Sequence, residues 1–177
     1  MAQNSKGKIW RFLLVLARVA LALIFLAAAY AKLKPQTDVP WSIASVKTSL
    51  SMFAMQVDSY QLLPETQVNL AAHLLPPFEL VLGIWLLSGV ALRFSSLLTT
   101  ILLGGFFAVM VRTLALGLEI NCGCFGPGER LGPRTLLRDG SLLALSLAVT
   151  AGAFLVSRRK SPAVEPTPAI SAPQRAD

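Results

Sequence analysis

The apolar stretch FLLVLARVALALIFLAAAYA, residues 12–31, decides the fold class of this chain. Its 20 positions contain a single charged residue, Arg18. An α-helix rises about 1.5 Å per residue, so about 20 apolar residues cross the hydrocarbon core of a bilayer. The stretch therefore predicts a membrane-spanning helix.

Three further apolar runs follow, at about 68–92, 94–118 and 142–156. The last run reaches a spanning length only if the helix extends upstream through Leu136, with Arg138 and Asp139 at the membrane surface. The four runs predict an all-α integral membrane four-helix bundle. It would occupy residues 11–157 as one domain, after an N-terminal cytoplasmic tail (residues 1–10, loose over 1–8) and before a disordered, proline-rich cytoplasmic tail (158–177).

The composition agrees with a membrane protein. Of the 177 residues, 54% are hydrophobic and 14% are charged, whereas soluble domains carry about 25% charged residues. This excludes a disordered chain, a collagen-like fibre and a small disulfide-rich secreted protein. The net charge of +7 does not indicate a nucleic-acid partner, because the basic residues lie mostly at the edges of the apolar runs, where membrane topology accounts for them.

The placement of lysine and arginine predicts the orientation. Basic residues cluster before the first run, in the link between runs two and three, and after the fourth: Lys6, Lys8, Arg11, Arg93, Arg158, Arg159 and Lys160. Because cytoplasmic flanks carry the excess of Lys and Arg, we expect a multi-pass protein of the bacterial inner membrane with both termini cytoplasmic. Segments 32–67 and 119–135 would then face outward.

The first run has an alternative interpretation. Its basic flank and the triplet Ala29-Tyr30-Ala31 also fit a cleavable signal peptide. The run is longer than the h-region of about 7–15 residues in such peptides, and it contains Arg18. We therefore expect it to remain as a helix.

The outward segment between the first two spans has its own pattern. Apolar residues recur at alternating steps of three and four, which predicts an amphipathic helix with one apolar stripe: Ile43, Val46, Leu50, Phe53, Val57 and Tyr60. Asp38 is the expected start and Pro64 the expected stop, while Ser49 lies off the stripe. The helix would lie on the outer membrane surface or on the mouth of the bundle, or it would be a packed connector.

The only two cysteines are Cys122 and Cys124, in the stretch NCGCFGPG at 121–128. An outward location is oxidising, and a bridge over so small a ring would be strained and easily reduced. A redox pair is therefore the leading interpretation. The alternatives are a permanent clip, which would stabilise poorly over so short a loop, or two unreactive thiols. Two sulfurs and one histidine predict no metal site within one chain, and a site shared with a partner stays open.

Ionisable residues inside the apolar runs form a second group of candidates. Glu79 and Arg112 lie at similar predicted depth on the cysteine side, and buried charges in membranes commonly pair. Three roles are open for them: a polar pocket for a small carrier such as a quinone, a proton route, or a structural pair that fixes the helix register. His73, the single histidine, is more typical of a packing residue, although its outer position keeps proton transfer open.

Taken together, these short motifs resemble the methylamine utilisation protein MauE family, within the broader DoxX-like membrane proteins. The resemblance covers about residues 11–157. The matching features are Arg18, Tyr30-Ala31-Lys32-Leu33, Tyr60-Gln61-Leu62-Leu63-Pro64, Leu75-Pro76-Pro77-Phe78-Glu79 with Gly83, and the most specific element, Asn121-Cys122-Gly123-Cys124-Phe125-Gly126.

The resemblance implies a four-helix membrane bundle involved in periplasmic protein maturation. Members are linked to methylamine dehydrogenase, whose small subunit needs several disulfides, and act beside a thioredoxin-like partner. Cys122 and Cys124 would be the redox pair, and Glu79 and Lys32 polar positions of unassigned role. Two other classes stay open from the residues alone: a non-catalytic assembly scaffold with a fixed disulfide, and a small-solute or electron-carrier protein built around Glu79 and Arg112.

Overall fold

The structure is a computed structural model that describes residues 2–35, 40–123 and 129–158, with side chains from residue 8 to residue 155 in those segments. They contain five helices: α1 (Ala2–Leu33), α2 (Ile43–Asp58), α3 (Glu65–Ser88), α4 (Leu92–Ala115) and α5 (Pro133–Arg158). Four stretches are long and apolar enough to cross a membrane: Lys8–Leu33, Glu65–Ser88, Leu92–Ala115 and Pro133–Leu155. The described residues include no strand, only one isolated antiparallel bridge. The predicted all-α four-helix membrane bundle is confirmed.

A three-residue turn, residues 89–91, joins α3 to α4. Gly89 has a φ of +68°, and its N–H donates to the carbonyl of Trp85. This left-handed backbone conformation is common at helix ends, and glycine adopts it without steric cost. The turn reverses the chain, so α3 and α4 are antiparallel. We call this side of the molecule the turn end, and the side that carries α2 and the segments 116–123 and 129–132 the loop end.

The outer helices differ from the predicted bounds. α1 begins at Ala2, so the N-terminal residues continue the helix and do not form a loose tail; no proline separates them from the apolar run. α5 begins at Pro133, a residue suited to the first turn of a helix. The predicted upstream extension of the fourth span is confirmed. The predicted disordered tail lies outside the described residues from position 159 onward.

α2 forms where the apolar stripe predicts a helix, but both predicted boundaries are wrong. The N-cap is Ser42: its hydroxyl accepts from the Ser45 N–H at 3.1 Å, and the Ser45 hydroxyl accepts from the Ser42 N–H at 2.9 Å. This reciprocal capping satisfies two backbone donors, so the helix starts at Ile43 and not near Asp38. It ends at Asp58, and Pro64 instead caps the start of α3.

The stripe of α2 packs at the loop end. Phe53 and Ala54 form an apolar cluster with Val68 and Ala72 of α3. Ser49, which lies off the predicted stripe, is also buried. Its hydroxyl donates to the carbonyl of Lys34 at 3.0 Å, which satisfies the buried polar group. α2 therefore covers the mouth of the bundle, while Ile43 at its start stays 80% exposed.

The four spans form two closely packed pairs, α1 with α3 and α4 with α5. In the turn half, Leu21 and Ala22 of α1, Leu86 of α3 and Val149 of α5 form an apolar core, and Leu92 and Leu103 of α4 pack against it. In the loop half, α1 and α4 do not approach each other closely. The space that this leaves is the cavity described below.

The close approach of α1 and α3 depends on Gly83. A Cβ at this position would lie 2.9 Å from the Leu26 side chain and 3.2 Å from the carbonyl oxygen of Ala22. We expect Gly83→Val to lower the free energy of unfolding by about 1–3 kcal/mol, the usual cost of overpacking. Thermal unfolding in detergent measures this. Gly105→Val, also within a span but with no atom within 4 Å of its Cβ, is the control, and equal losses in both variants would contradict the packing argument.

Candidate functional site: a membrane cavity beside Cys122

A cavity of about 580 Å³ occupies the loop half of the bundle. All five helices and the segment 122–123 contribute to its wall. The lining is mainly apolar, with side chains such as Phe25, Leu75 and Phe106. A few polar residues interrupt it: Lys32, Gln56, Tyr60, Glu79, Cys122 and Asp139. An apolar cavity of this size with few polar groups is typical of a small-molecule site.

A buried ion pair lies in the cavity wall. The Lys32 ammonium, in the last turn of α1, donates to both carboxylate oxygens of Glu79 at 2.8 Å. Their side chains are only 3% and 5% exposed. The Lys32 Nζ also lies 5.4 Å from the ring centroid of Phe53, within cation–π range. About 15 Å of helix separates Glu79 from the α3–α4 turn, so the carboxylate lies well inside the span α3, while Lys32 reaches it from the end of α1.

The predicted pairing of Glu79 with Arg112 is wrong. Arg112, in the last turn of α4, is exposed and does not line the cavity. α4 turns Met110 and Thr113 inward at this level, which points Arg112 away from Glu79. His73 is exposed on α3, where a ring nitrogen lies 2.8 Å from the carbonyl oxygen of Asn69, and it does not line the cavity either. Of the three predicted pocket residues, only Glu79 is in the wall.

Cys122 is held at the loop end of the cavity and is 3% exposed. Its N–H donates to the carbonyl of Glu129 at 2.7 Å. The carbonyl of Cys122 accepts from the Tyr60 hydroxyl at 2.7 Å. With the bridge between Asn121 and Arg130, these bonds pair residues 120–122 with residues 129–131 in antiparallel fashion. We call these two paired segments the hairpin, and the Tyr60 hydroxyl braces it just beyond the end of α2. Cys124 lies outside the described residues.

A second ion cluster ties this hairpin to α5. Arg138 pairs with Glu129 on the hairpin, and its Nε donates to Asp139 Oδ1 at 2.9 Å. Asp139 in turn lines the cavity. Sequence reasoning placed Arg138 and Asp139 only at the membrane surface and missed this tie. The described segments contain no group of three or more His, Cys, Asp or Glu side chains arranged for a metal ion.

Gly123 sets the position of the hairpin relative to α2. Its φ is +69°, and a Cβ there would lie 2.7 Å from Gln56 Oε1. We expect Gly123→Ala to displace the hairpin, because it adds left-handed strain of about 1–2 kcal/mol to the clash. In a Cys124→Ser background, Cys122 should then react faster with a maleimide. Gly117→Ala has the same φ but no atom within 4 Å of its Cβ; equal acceleration in that control would contradict a role for the Gln56 contact.

The fold and the cavity together define a multi-pass helical membrane protein with a mainly apolar site among its helices. A family model, methylamine utilisation protein MauE, matches residues 10–153. The chain therefore belongs to the MauE family, and membership indicates a membrane function related to methylamine utilisation. No curated protein and no solved structure matches the chain significantly. The DoxX-like grouping stays a prediction.

Proposed function

We propose that this protein carries out thiol–disulfide chemistry with Cys122 and Cys124 at the outer face of the bacterial inner membrane, in support of periplasmic protein maturation. The observation that carries the proposal is the position of Cys122 in the wall of an apolar membrane cavity. A structural clip would need no such cavity. Methylamine dehydrogenase, the client implied by the family resemblance, is the first client to test.

The basic flanks of the spans support this orientation. Seven Lys and Arg residues lie before the first span, at the start of the third and after the fourth: Lys6, Lys8, Arg11, Arg93, Arg158, Arg159 and Lys160. Because cytoplasmic flanks carry the excess of Lys and Arg, they favour a cytoplasmic turn end, with the cysteines in the oxidising compartment.

The exchange step needs only a partner dithiol and the Cys122–Cys124 disulfide, and electrons and protons balance between them. A thiolate of a thioredoxin-like partner, or of a client, attacks the sulfur of Cys124 in a Cys122–Cys124 disulfide and forms a mixed disulfide. We assign Cys122 the role of leaving thiolate, because its burial prevents attack by another protein. The partner's second thiolate then resolves the mixed disulfide, so the partner loses two electrons and two protons and the cysteine pair gains them.

A quinone is the proposed next electron acceptor, and the mainly apolar lining of the cavity supports it. Ile101, on the span α4, lines the cavity and is 62% exposed, so a lipid-soluble molecule would enter laterally beside it. When bound, a quinone supplies a two-electron, two-proton acceptor. Lys32 and Gln56 carry N–H donors in this wall that would orient its carbonyl groups, while the Tyr60 hydroxyl donates to the Cys122 carbonyl.

Thiol trapping on intact cells tests the exchange chemistry. A membrane-impermeant, mass-adding reagent is applied with and without mild reductant to the wild type and to Cys122→Ser and Cys124→Ser. We expect the wild type to take up label only after mild reduction. Cys122→Ser should accumulate a mixed disulfide through Cys124, whose thiolate attacks the disulfide of an oxidised partner and releases one of its thiolates. A bond that resists all but denaturing reduction, or thiols that stay reduced under oxidant, would disprove the proposal.

Filling the cavity tests the quinone separately. Ala71 lines the cavity and is half-buried, whereas Ala108 on α4 is exposed and does not line it. We expect Ala71→Trp to leave Cys122 and Cys124 reduced in respiring cells and Ala108→Trp to leave them oxidised. If both variants re-oxidise the pair at the wild-type rate, the carrier does not bind in this cavity.

The burial of Cys122 also supports a second candidate, an assembly scaffold with a fixed clip. Tyr60 and Glu129 hold its backbone from two sides, as a structural element would require. Full maturation of the client in a Cys122→Ser/Cys124→Ser double variant would favour the scaffold and contradict the redox proposal.

A further inference from the structure

A second depression lies at the turn end, on the opposite side of the bundle from Cys122. Its volume is about 630 Å³. Three arginines line it: Arg11 and Arg18 on α1, and Arg93 in the first turn of α4. The remaining wall is apolar and includes Leu14, Phe94 and Val149. No carboxylate among the described residues lines it.

Arg18 is the most constrained of the three cations. Its Nε is buried and has no hydrogen-bond partner among the described residues. Its guanidinium lies against the α3–α4 turn, where a Cβ on Gly89 would be 2.3 Å from Nη1. A buried donor without a partner is costly, so the site favours an acceptor that enters from outside.

The other two arginines are positioned to share that acceptor. Arg11 and Arg93 are exposed, and the guanidinium carbon of Arg93 lies 5.8 Å from the ring centroid of Phe154, a cation–π contact that restricts its movement. Three guanidinium groups around one depression attract a phosphate, since their planar donors match its oxygens.

We propose that this depression binds the headgroup phosphate of an anionic phospholipid. The apolar surface beside the arginines favours a lipid over a free phosphate ion. Val15 and Phe94 line the depression and are 48% and 66% exposed. Acyl chains lie against these side chains when the phosphate is between the arginines. Basic pockets between transmembrane helices recognise anionic headgroups in this way. The inference does not depend on the cysteine chemistry.

Native mass spectrometry of the full chain tests the proposal, with phosphatidylglycerol or phosphatidylcholine added to the detergent. We expect retained phosphatidylglycerol and little phosphatidylcholine. Arg18→Gln should raise the apparent Kd for phosphatidylglycerol about tenfold, which corresponds to about 1.4 kcal/mol and to the loss of about one charge-assisted hydrogen bond. Arg93→Gln should also weaken the binding of phosphatidylglycerol. Because Arg93 is exposed, this variant is expected to fold, so the test stays valid if Arg18→Gln does not.

Arg134→Gln is the matched control, because Arg134 is exposed on α5 at the loop end. It should bind phosphatidylglycerol as the wild type does. Unchanged binding in both Arg18→Gln and Arg93→Gln, or an equal loss in Arg134→Gln, would overturn the proposal. Displacement of the lipid by millimolar inorganic phosphate would show that the site takes a free anion and would also overturn the lipid assignment.

Discussion

Glu79→Ala is expected to lower the free energy of unfolding by about 3–5 kcal/mol, because it leaves the Lys32 ammonium buried without its carboxylate partner. The wild-type contact is bidentate at 2.8 Å, and both side chains are almost fully buried. Lys32→Met should cost a similar amount by leaving the carboxylate unpaired. Denaturant unfolding in detergent micelles measures both effects.

The double variant separates pairing from packing. Replacing both members by apolar residues, as in Lys32→Met/Glu79→Leu, removes both desolvated charges together, so it should be more stable than either single variant. Glu65→Ala, at an exposed position in the first turn of α3, is the control and should change stability little. Additive losses in the double variant would contradict the coupling of Lys32 with Glu79.

The double variant also asks whether the pair contributes to function. If Lys32 orients a carrier in the cavity, a stable Lys32→Met/Glu79→Leu protein should still fail to re-oxidise Cys122 and Cys124. If the pair only fixes the register of α1 against α3, re-oxidation should continue at the wild-type rate. Stability and redox state of one variant therefore distinguish the two roles.

Arg138→Ala is expected to free the Cys122 hairpin from α5. The arginine holds Glu129 and Asp139 together, but its side chain is 34% exposed and that of Glu129 is 40% exposed. Solvent screening therefore reduces the loss to about 1–2 kcal/mol of local stability. Because that range corresponds to about 5- to 30-fold in an opening equilibrium, maleimide labelling of Cys122 should accelerate by that factor.

The labelling experiment uses a Cys124→Ser background so that a single thiol reports. Arg134→Ala removes an exposed arginine one turn earlier on the same helix, so it should leave the labelling rate unchanged. A wild-type labelling rate in Arg138→Ala would contradict this role of the ion cluster. The hydrogen bonds that the Cys122 backbone makes with the Glu129 carbonyl and the Tyr60 hydroxyl would then hold the hairpin on their own.

Hydropathy predicts the spans well for a physical reason. In a bilayer each segment must satisfy its backbone hydrogen bonds internally, so a long apolar run has little alternative to a helix. The run at residues 12–31 and its three successors therefore appear as α1, α3, α4 and α5. The end of α3 was predicted four residues too late, at Leu92 instead of Ser88, because Leu92 continues the apolar run although Gly89 has already reversed the chain.

The partner of Glu79 was not predictable from depth alone. Apolar runs specify where a residue lies along the membrane normal, but not how its helix is rotated about its own axis. α4 points Arg112 outward, whereas the last turn of α1 points Lys32 inward to Glu79. Similarly, the capping of α2 by Ser42 depends on the local reciprocal bonds with Ser45, and the more distant Asp38 was an equally reasonable candidate by residue type.

The core and the cavity lie in opposite halves of the bundle, the core around Leu21, Leu86 and Val149 and the cavity between α1 and α4. Tolerance to mutation should therefore be uneven across the thickness of the bilayer. Changes of side-chain volume in the half nearest Gly89 disturb packing that all four spans share. In the half nearest Cys122, the same changes reshape an existing void, so the cavity can differ in shape between related chains without loss of the bundle.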